Sequence, residues 1–465
     1  MFERLSFIQS TTNILSLVSP QLEYTEAQNN YWSTSCGALK PACILVPSSI
    51  DELSTVVKVL NSNNETFAIK SGGHNPNNDF ASVEGGPLIL MSGFKEVTYD
   101  QASNTVRIGP GQRWEDVMGA LDGTGVTVVG GRIGGLSFLS TQYGWAVNNI
   151  LEVNLVLPNG TITTASNTSN PEILAALKGG GSNFGIVASY VLQAYPIGQV
   201  WGGNLIFSDG QHTDHILSAV RNFTENYDDP KAGIIVTSEL TLSNLANIWV
   251  LFLFYDGPEP PAGVFDEFLN LNASINSCKT RTYADFLSAN NWAVLHGSVY
   301  TIATETTPLP PAGREDMMKT YYDHWYNTSA AASSVTGLIA SIAFQPMPKS
   351  LTAIAKNKGG DLMALDDAAD RIIFEFDYSY WLPLDNAKVD QTMVSLYSGM
   401  KDIVDGFVAD GSLPDVYRPL FMNDAYFRQD YWGRLNPSTK EFAERIRSSV
   451  DPNGLFQTRT GGFKM

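Results

Sequence analysis

Glycine is unevenly spread along this 465-residue chain. It gathers in three clusters before residue 190: Ser71-Gly72-Gly73-His74, Gly130-Gly131-Arg132-Ile133-Gly134-Gly135 and Gly179-Gly180-Gly181-Ser182-Asn183-Phe184-Gly185. Glycine has no Cβ, so its backbone reaches positive φ and its N–H can approach a ligand closely. Runs of such N–H groups form nests that hold anionic oxygens. Two readings are therefore open: three tight turns, or a fold built around an anionic group. Neither a G-x-G-x-x-G nor a G-x-x-x-x-G-K-[ST] pattern occurs, so no generic nucleotide fingerprint is present.

The residues between the clusters alternate short β-type runs with helical stretches. Cys43–Val46 is apolar and ends at Pro47. Ser49 with Glu52 has capping-box spacing, and Leu53, Val56, Val57 and Leu60 follow at helical intervals. Phe67–Ile69 reads as a strand that stops at the first cluster. Strand-like runs follow at 87–91, 97–99, 105–108 and 126–129, with a helix over 114–121. Asn159-Gly160 predicts a tight hairpin between 153–157 and 161–164. After residue 200 the clusters cease. Longer strands (234–240, 247–255, 372–376) then alternate with helices (212–227, 385–400), which predicts an antiparallel sheet with helices on one face. A last helix spans 438–450.

Composition narrows the partners. Lys plus Arg is 29 and Asp plus Glu is 47, so the net charge is 29 − 47 = −18. That excludes nucleic acid as the natural partner, because phosphate binding needs a basic face. The longest apolar run, Ile248–Tyr255, is far short of the roughly 20 residues of a membrane-spanning helix, so no membrane role is expected. The first 20 residues lack a continuous apolar core, and no signal peptide is predicted. Cys36, Cys43 and Cys278 form no C-x-x-C or Cys/His cluster, so no metal site is expected. Cys36 and Cys43 fit either a bridge in an oxidising compartment or two buried thiols. Six N-x-S/T sequons (Asn64, Asn159, Asn167, Asn222, Asn272, Asn327) are close to the chance number and decide nothing about secretion. The compartment stays open between the secretory pathway and the cytoplasm, as does the oligomeric state.

His74 stands out as one of five histidines, placed directly after a glycine turn. Phe67-Ala-Ile-Lys-Ser-Gly-Gly-His74 resembles the R/K-S-G-G-H segment of the berberine-bridge-enzyme-like flavoproteins. These belong to the vanillyl-alcohol-oxidase and p-cresol-methylhydroxylase (PCMH) superfamily of oxygen-dependent FAD-linked oxidoreductases. The likeness continues, in the family's order, at Gly109–Trp114, Ser137–Ser140, Tyr143-Gly144-Trp145, Asn148-Asn149, Leu177–Val187 and Asp451–Phe456. It covers about residues 30–200 and 415–465; the middle third matches only in general character.

The resemblance implies an α+β fold. A two-subdomain PCMH-type FAD-binding domain (37–200) would follow an N-terminal segment (1–36). An antiparallel-sheet substrate domain covered by helices (201–415) comes next, and a C-terminal segment (416–465) returns to the FAD domain. It implies FAD as cofactor, joined by a single covalent bond from a His74 ring nitrogen to the flavin 8α-methyl. The second cluster has no Cys, so no second bond is expected. The further cofactor-binding residues implied are Ser71, Gly72, Gly73 and Asn75; Gly130, Gly131, Gly134, Gly135 and Ser137; Tyr143, Gly144, Asn148 and Asn149; Gly180, Gly181, Asn183, Phe184, Gly185, Ile186 and Val187; and Asn423.

Two departures qualify the implied chemistry. The loop Gly131–Ser137 is markedly shorter than in relatives, where it contributes backbone to the flavin pocket. Phe421-Met422-Asn423 also replaces a Tyr-x-Asn motif, and a phenyl ring cannot serve as a base. Tyr378, Tyr380 and Asp424 are the remaining catalytic candidates. Along 374–380, alternation sends Phe374, Phe376, Tyr378 and Tyr380 to one face, either as core or towards a site. The implied function is an FAD-dependent oxidase acting on a small alcohol or secondary metabolite with O2 as acceptor. The competing reading, motivated by the short loop, is a redox-neutral or flavin-deficient relative: a cyclase, isomerase or binding scaffold.

Overall fold

The computed structural model describes residues 14–131, 136–208, 210–241, 246–293 and 296–465. Gly134 and Gly135 lie outside the described residues.

Two small sheets open the fold. The first has the order Leu15–Leu17, Cys43–Val46, Pro87–Leu90, Ala68–Lys70. Its last three strands are mutually parallel, and the first is antiparallel. The second is antiparallel, in the order Val97–Asp100, Thr105–Ile108, Ile186–Gln193, Ile150–Val156, Ile162–Ser166. The expected hairpin forms, with Gly160 at φ +81°.

The helix Ile50–Asn61 joins the two sheets, because its apolar face meets both. Leu53, Val56, Val57 and Leu60 pack with Leu45 and Ile89 of one sheet and with Val156, Ile186 and Ala188 of the other. Ser49 Oγ accepts from the Glu52 N–H at 3.2 Å. The Glu52 carboxylate accepts from the Ser48 N–H at 2.7 Å, so the expected capping box closes one residue early. Ser49→Ala is expected to lower stability by about 1 kcal/mol, read by denaturant titration.

The large sheet is wholly antiparallel. Its main strands are Val200–Phe207, Ala246–Tyr255, Ala232–Thr241, Ile339–Met347, Arg371–Tyr380 and Val299–Pro308, in that order. One face carries the helices Thr213–Glu225, Glu315–Ala331 and Asn386–Ala409. Leu217, Met317, Trp325, Met393 and Met400 pack there on Val236, Leu251, Ile342 and Phe376. The other face packs on the first half of the chain. Ile235, Phe252, Phe254 and Ala343 meet Val106, Met118, Leu139 and Leu192. Met347 and Ile373 meet Leu136, Trp145 and Phe421. Both faces are thus buried, and the site lies where the large sheet meets the smaller ones.

The C-terminal segment closes this junction. Leu455 and Phe456 enter the core of the two small sheets. The Arg434 guanidinium grips Glu305 of the large sheet in a fork, at 2.6 and 3.0 Å. Among the described residues no helix is long and apolar enough to cross a membrane. Cys36 and Cys43 are buried free thiols here, and Cys278 is a partly exposed one.

Candidate active site

A cavity of about 390 Å3 lies at the junction. One wall is Ser71, Gly109, Pro110, Arg113, Trp114 and Gly131; the opposite wall is Trp145, Asp361, Phe421, Met422, Asn423 and Tyr431. Ile108, Val117, Ile150, Tyr190 and Leu192 make an apolar end. Arg113 supplies positive charge on the first wall, and its guanidinium donates to the Gly72 carbonyl and to Asn30 Oδ1. An apolar slot, adjoining glycine turns and a guanidinium suit a long ligand with a flat aromatic end and an anionic centre.

The first glycine turn is held from behind. Gly73 has φ +69°, and a Cβ there would lie 2.9 Å from the Asn30 carbonyl oxygen, so only glycine fits. Ser71 Oγ donates to the Pro110 carbonyl. Lys70, buried beneath the turn, donates to the Ala27 carbonyl at 2.7 Å and lies over the Tyr31 ring. Burial, aided by the Arg113 charge, lowers its pKa to about 7. Asn75 Oδ1 accepts from the Asn77 N–H at 2.9 Å and shapes the chain after His74.

His74 lies three residues beyond the cavity-lining Ser71 and is not itself in the lining; it keeps an accessible surface although protein surrounds it closely. Desolvation, and secondly the Arg113 charge, lower its pKa to about 4. The imidazole is therefore neutral at ordinary pH and retains a nitrogen lone pair. Its ring stacks on Trp32 at 4.5 Å and 16°. Trp32 in turn stacks on Tyr300 of the large sheet at 4.3 Å.

In the second cluster, Gly131 lines the cavity and Gly130 backs it. A Cβ on Gly130 would fall 2.4 Å from the Trp114 ring, so the close approach requires glycine. Ser137 turns inward, and its Oγ accepts from the Leu139 N–H. Tyr143 stacks on Tyr195 at 3.8 Å, and Gly144 follows it at φ +77°. Asn148 accepts from the Trp145 N–H and donates to the Gly360 carbonyl and to Asp361. Asn149 donates to the Tyr143 and Trp145 carbonyls and accepts from Tyr195 Oη. These two buried amides shape the wall; the cavity lining next to them is Trp145, Ala146 and Val147.

The third cluster divides in the same way. Gly179 lines the cavity. Gly180 packs on Phe184, and Gly181 faces Met422. Asn183 is wholly buried; it donates to the Gly180 and Phe463 carbonyls and accepts from Gln457. Gly185 leads into Ile186 and Val187, the start of the strand Ile186–Gln193.

The catalytic candidates separate. Tyr378 and Tyr380 share the helix-side core with Phe374 and Phe376, as alternation predicted. Tyr378 is bonded to Ser329, and Tyr380 donates to Asn386 at 2.8 Å. Burial drives both phenol pKa values upward. Their placement as site residues is therefore corrected: both point away from the cavity. Asp424 is on the cavity side, beside Phe421–Asn423. Gln345 bridges it to Glu375, donating to Glu375 at 3.1 Å and to Asp424 at 3.4 Å.

Glu375, Asp377 and Glu239 occupy the face opposite Tyr378, with Glu239 and Asp377 both paired to Ser341. Burial, then the charges of Glu375 and Glu239, push the Asp377 pKa well above the usual carboxylate range. Sequence reasoning missed these three carboxylates, together with Trp32, Tyr300 and Arg113. Alternation in 374–380 already placed Glu375 and Asp377 together on the face opposite the tyrosines.

The FAD binding domain family matches residues 41–166. An FAD-linked oxidoreductase of Arthroderma benhamiae is 39% identical over 459 residues, covering 95% of this chain and 91% of that protein. Among solved structures, xylooligosaccharide oxidase from Myceliophthora thermophila C1 aligns over 99% of both chains with TM-score 0.78 and 18% identity. Berberine bridge enzyme from Eschscholzia californica aligns over 99% of both chains with TM-score 0.77 and 15% identity. These last two likenesses establish the shared fold, including its α+β character. The near full-length relationship to an FAD-linked oxidoreductase shows the family: the chain belongs to the FAD-linked oxidoreductases, with FAD as the cofactor that the family uses.

Proposed function

We propose that this oxidoreductase carries FAD on a ring nitrogen of His74 and oxidises a small organic substrate, with dioxygen as the terminal acceptor. The observation that carries the reading is the state of His74: neutral, accessible, held by a stacked ring and preceded by the cavity-lining Ser71. The remaining residues fit the group. Residues 37–200 and 416–465 supply the cradle, and 201–415 the substrate side. Arg113 and the turns at Ser71–Gly73, Gly130–Gly131 and Gly179–Gly181 offer positive charge and backbone donors to a pyrophosphate. Asn75, Ser137, Tyr143, Gly144, Asn148, Asn149, Asn183, Phe184, Gly185, Ile186 and Val187 hold those turns in place, and Asn423 faces the cavity.

When bound, FAD supplies the hydride acceptor and the route of electrons to dioxygen. The chain supplies position and proton handling. Trp145 stacks on Phe421 at 5.5 Å, giving the cavity an apolar wall suited to an aromatic or aliphatic small molecule. Phe421 cannot accept a proton, so that role falls to a carboxylate on the sheet face that meets Phe421 through Ile373. Glu375, held by Gln345 against Asp424, fills that role. Glu375→Gln is expected to lower turnover about 100-fold with FAD content unchanged. Unaltered turnover would remove Glu375 from the reaction.

Acid precipitation tests the cofactor reading. Yellow colour retained in the pellet supports covalent FAD. Colourless protein that takes up no FAD would favour the redox-neutral alternative raised by the short Gly131–Ser137 loop.

A further inference from the structure

The segment Trp32–Thr34, which leads into the helix Thr34–Ala38, lies between the first glycine turn and the edge of the large sheet. The Trp32 N–H donates to the Gly73 carbonyl at 3.0 Å. Ser33 Oγ accepts from the Tyr300 N–H at 2.9 Å and donates to the Tyr300 carbonyl at 3.2 Å. The Thr34 N–H donates to the Ser298 carbonyl at 2.9 Å. The strap is thus bonded on one side to the turn that carries His74 and on the other to the strand Val299–Pro308.

Trp32 is the member of the strap that touches His74 itself. The two rings are nearly parallel at 4.5 Å, and Tyr300 backs the indole from its other neighbour position at 4.3 Å. Ile302 completes a small cluster with these two aromatic rings. Ile302 lies opposite Asp377 in the sheet register, so the ladder ends on the carboxylate-bearing face. Trp32 is only 8% exposed, and its indole N–H has no acceptor among the described residues. A buried donor without a partner is costly, so the indole is retained beside His74 for what its ring does there.

We infer that Trp32 is a positioning residue for cofactor attachment: its indole, backed by Tyr300, fixes the plane of the His74 imidazole so that a ring nitrogen meets the flavin 8α-carbon. The inference rests on the His74 reading above. In the step it would serve, a nitrogen–carbon bond forms as one proton leaves the 8α-methyl group and one leaves the imidazole N–H, and these two protons pass to the peroxide. Two electrons remain on the flavin ring, and dioxygen removes them to give hydrogen peroxide. Without the stack the imidazole loses that restraint on its plane, and misplaced reactants lose most of the advantage of being held together.

The test uses full-length protein prepared without flavin and then incubated with FAD and air. Two quantities are followed: total FAD bound, by absorbance after desalting, and acid-stable FAD, in the precipitated pellet. In Trp32→Ala, attachment is expected to slow about 10- to 100-fold while total FAD binding changes little. Trp32→Phe, which keeps a stacking ring, is expected to recover most of the rate. Attachment in Trp32→Ala at the wild-type rate overturns the inference. So does a loss of total binding in proportion to attachment, or a Trp32→Phe variant no faster than Trp32→Ala, since each points to a merely structural role. Wild-type protein that binds FAD but shows none in the pellet overturns the His74 linkage first, and this inference with it. The two failures are therefore distinguishable.

Discussion

His74→Ala is expected to abolish acid-stable flavin while leaving a folded protein that still binds FAD reversibly. Flavin in the acid pellet should fall to background, and the supernatant should gain all of it. The reason is local. His74 offers the neutral nitrogen, whereas the cavity, Arg113 and the glycine turns are unchanged by the substitution. A coloured pellet from His74→Ala would move the linkage elsewhere. The same residue sets a pH signature. Its pKa in the fold, about 4, lies below the roughly 6.5 of an unfolded chain. As pH falls through that window the unfolded state takes the proton first, so stability is full above the unfolded value and is lost towards the folded one. Melting temperatures of flavin-free protein should therefore fall more steeply with acid in wild type than in His74→Ala. Attachment to wild type should hardly vary between neutral pH and about pH 5.5, because the ring stays neutral throughout.

Arg434→Met is expected to be the most destabilising of the simple surface-to-core changes, by about 3–5 kcal/mol. Glu305 is only 1% exposed, and it relies on the Arg434 fork for its charge. Arg434 also donates to the Arg418 carbonyl at 2.8 Å. Removing the guanidinium leaves a carboxylate buried where the C-terminal segment meets the large sheet. Urea titration reads the loss directly. The double variant Glu305→Gln with Arg434→Met should regain a substantial part of it, because no charge is then stranded. A single variant within about 1 kcal/mol of wild type would show that solvent reaches Glu305 after all.

The local elements were legible because each carries its own periodicity or turn residue. Leu53, Val56, Val57 and Leu60 mark a helix face, and Asn159-Gly160 marks a hairpin. The strand Arg371–Tyr380 shows the limit of such reading. Alternation sorted Phe374, Phe376, Tyr378 and Tyr380 from Glu375 and Asp377 correctly. It did not say which set meets the cavity, since both faces of that strand are buried and neither is marked by exposed polar residues. The motif residues behaved similarly. Ser71, Gly131 and Asn423 line the cavity, while Asn148, Asn149 and Asn183 spend their hydrogen bonds on the backbone that shapes it. Trp32 and Tyr300 are 268 positions apart, given by 300 − 32, and no local pattern joins them. Their contact exists only once the large sheet has docked.

Asn183 has one more consequence. Its side chain bonds the Phe463 carbonyl across 280 positions, so that pin on the third glycine turn forms only once the distant segment has arrived. During synthesis Phe463 emerges 280 positions after Asn183. A nascent chain halted before it therefore holds the turn unpinned, however long the rest has had to fold. Firm cofactor capture is thereby expected to wait for the segment that carries Phe463. Chains stalled on ribosomes short of residue 463 should accordingly bind FAD more weakly than released ones, a difference that flavin fluorescence on isolated complexes would register.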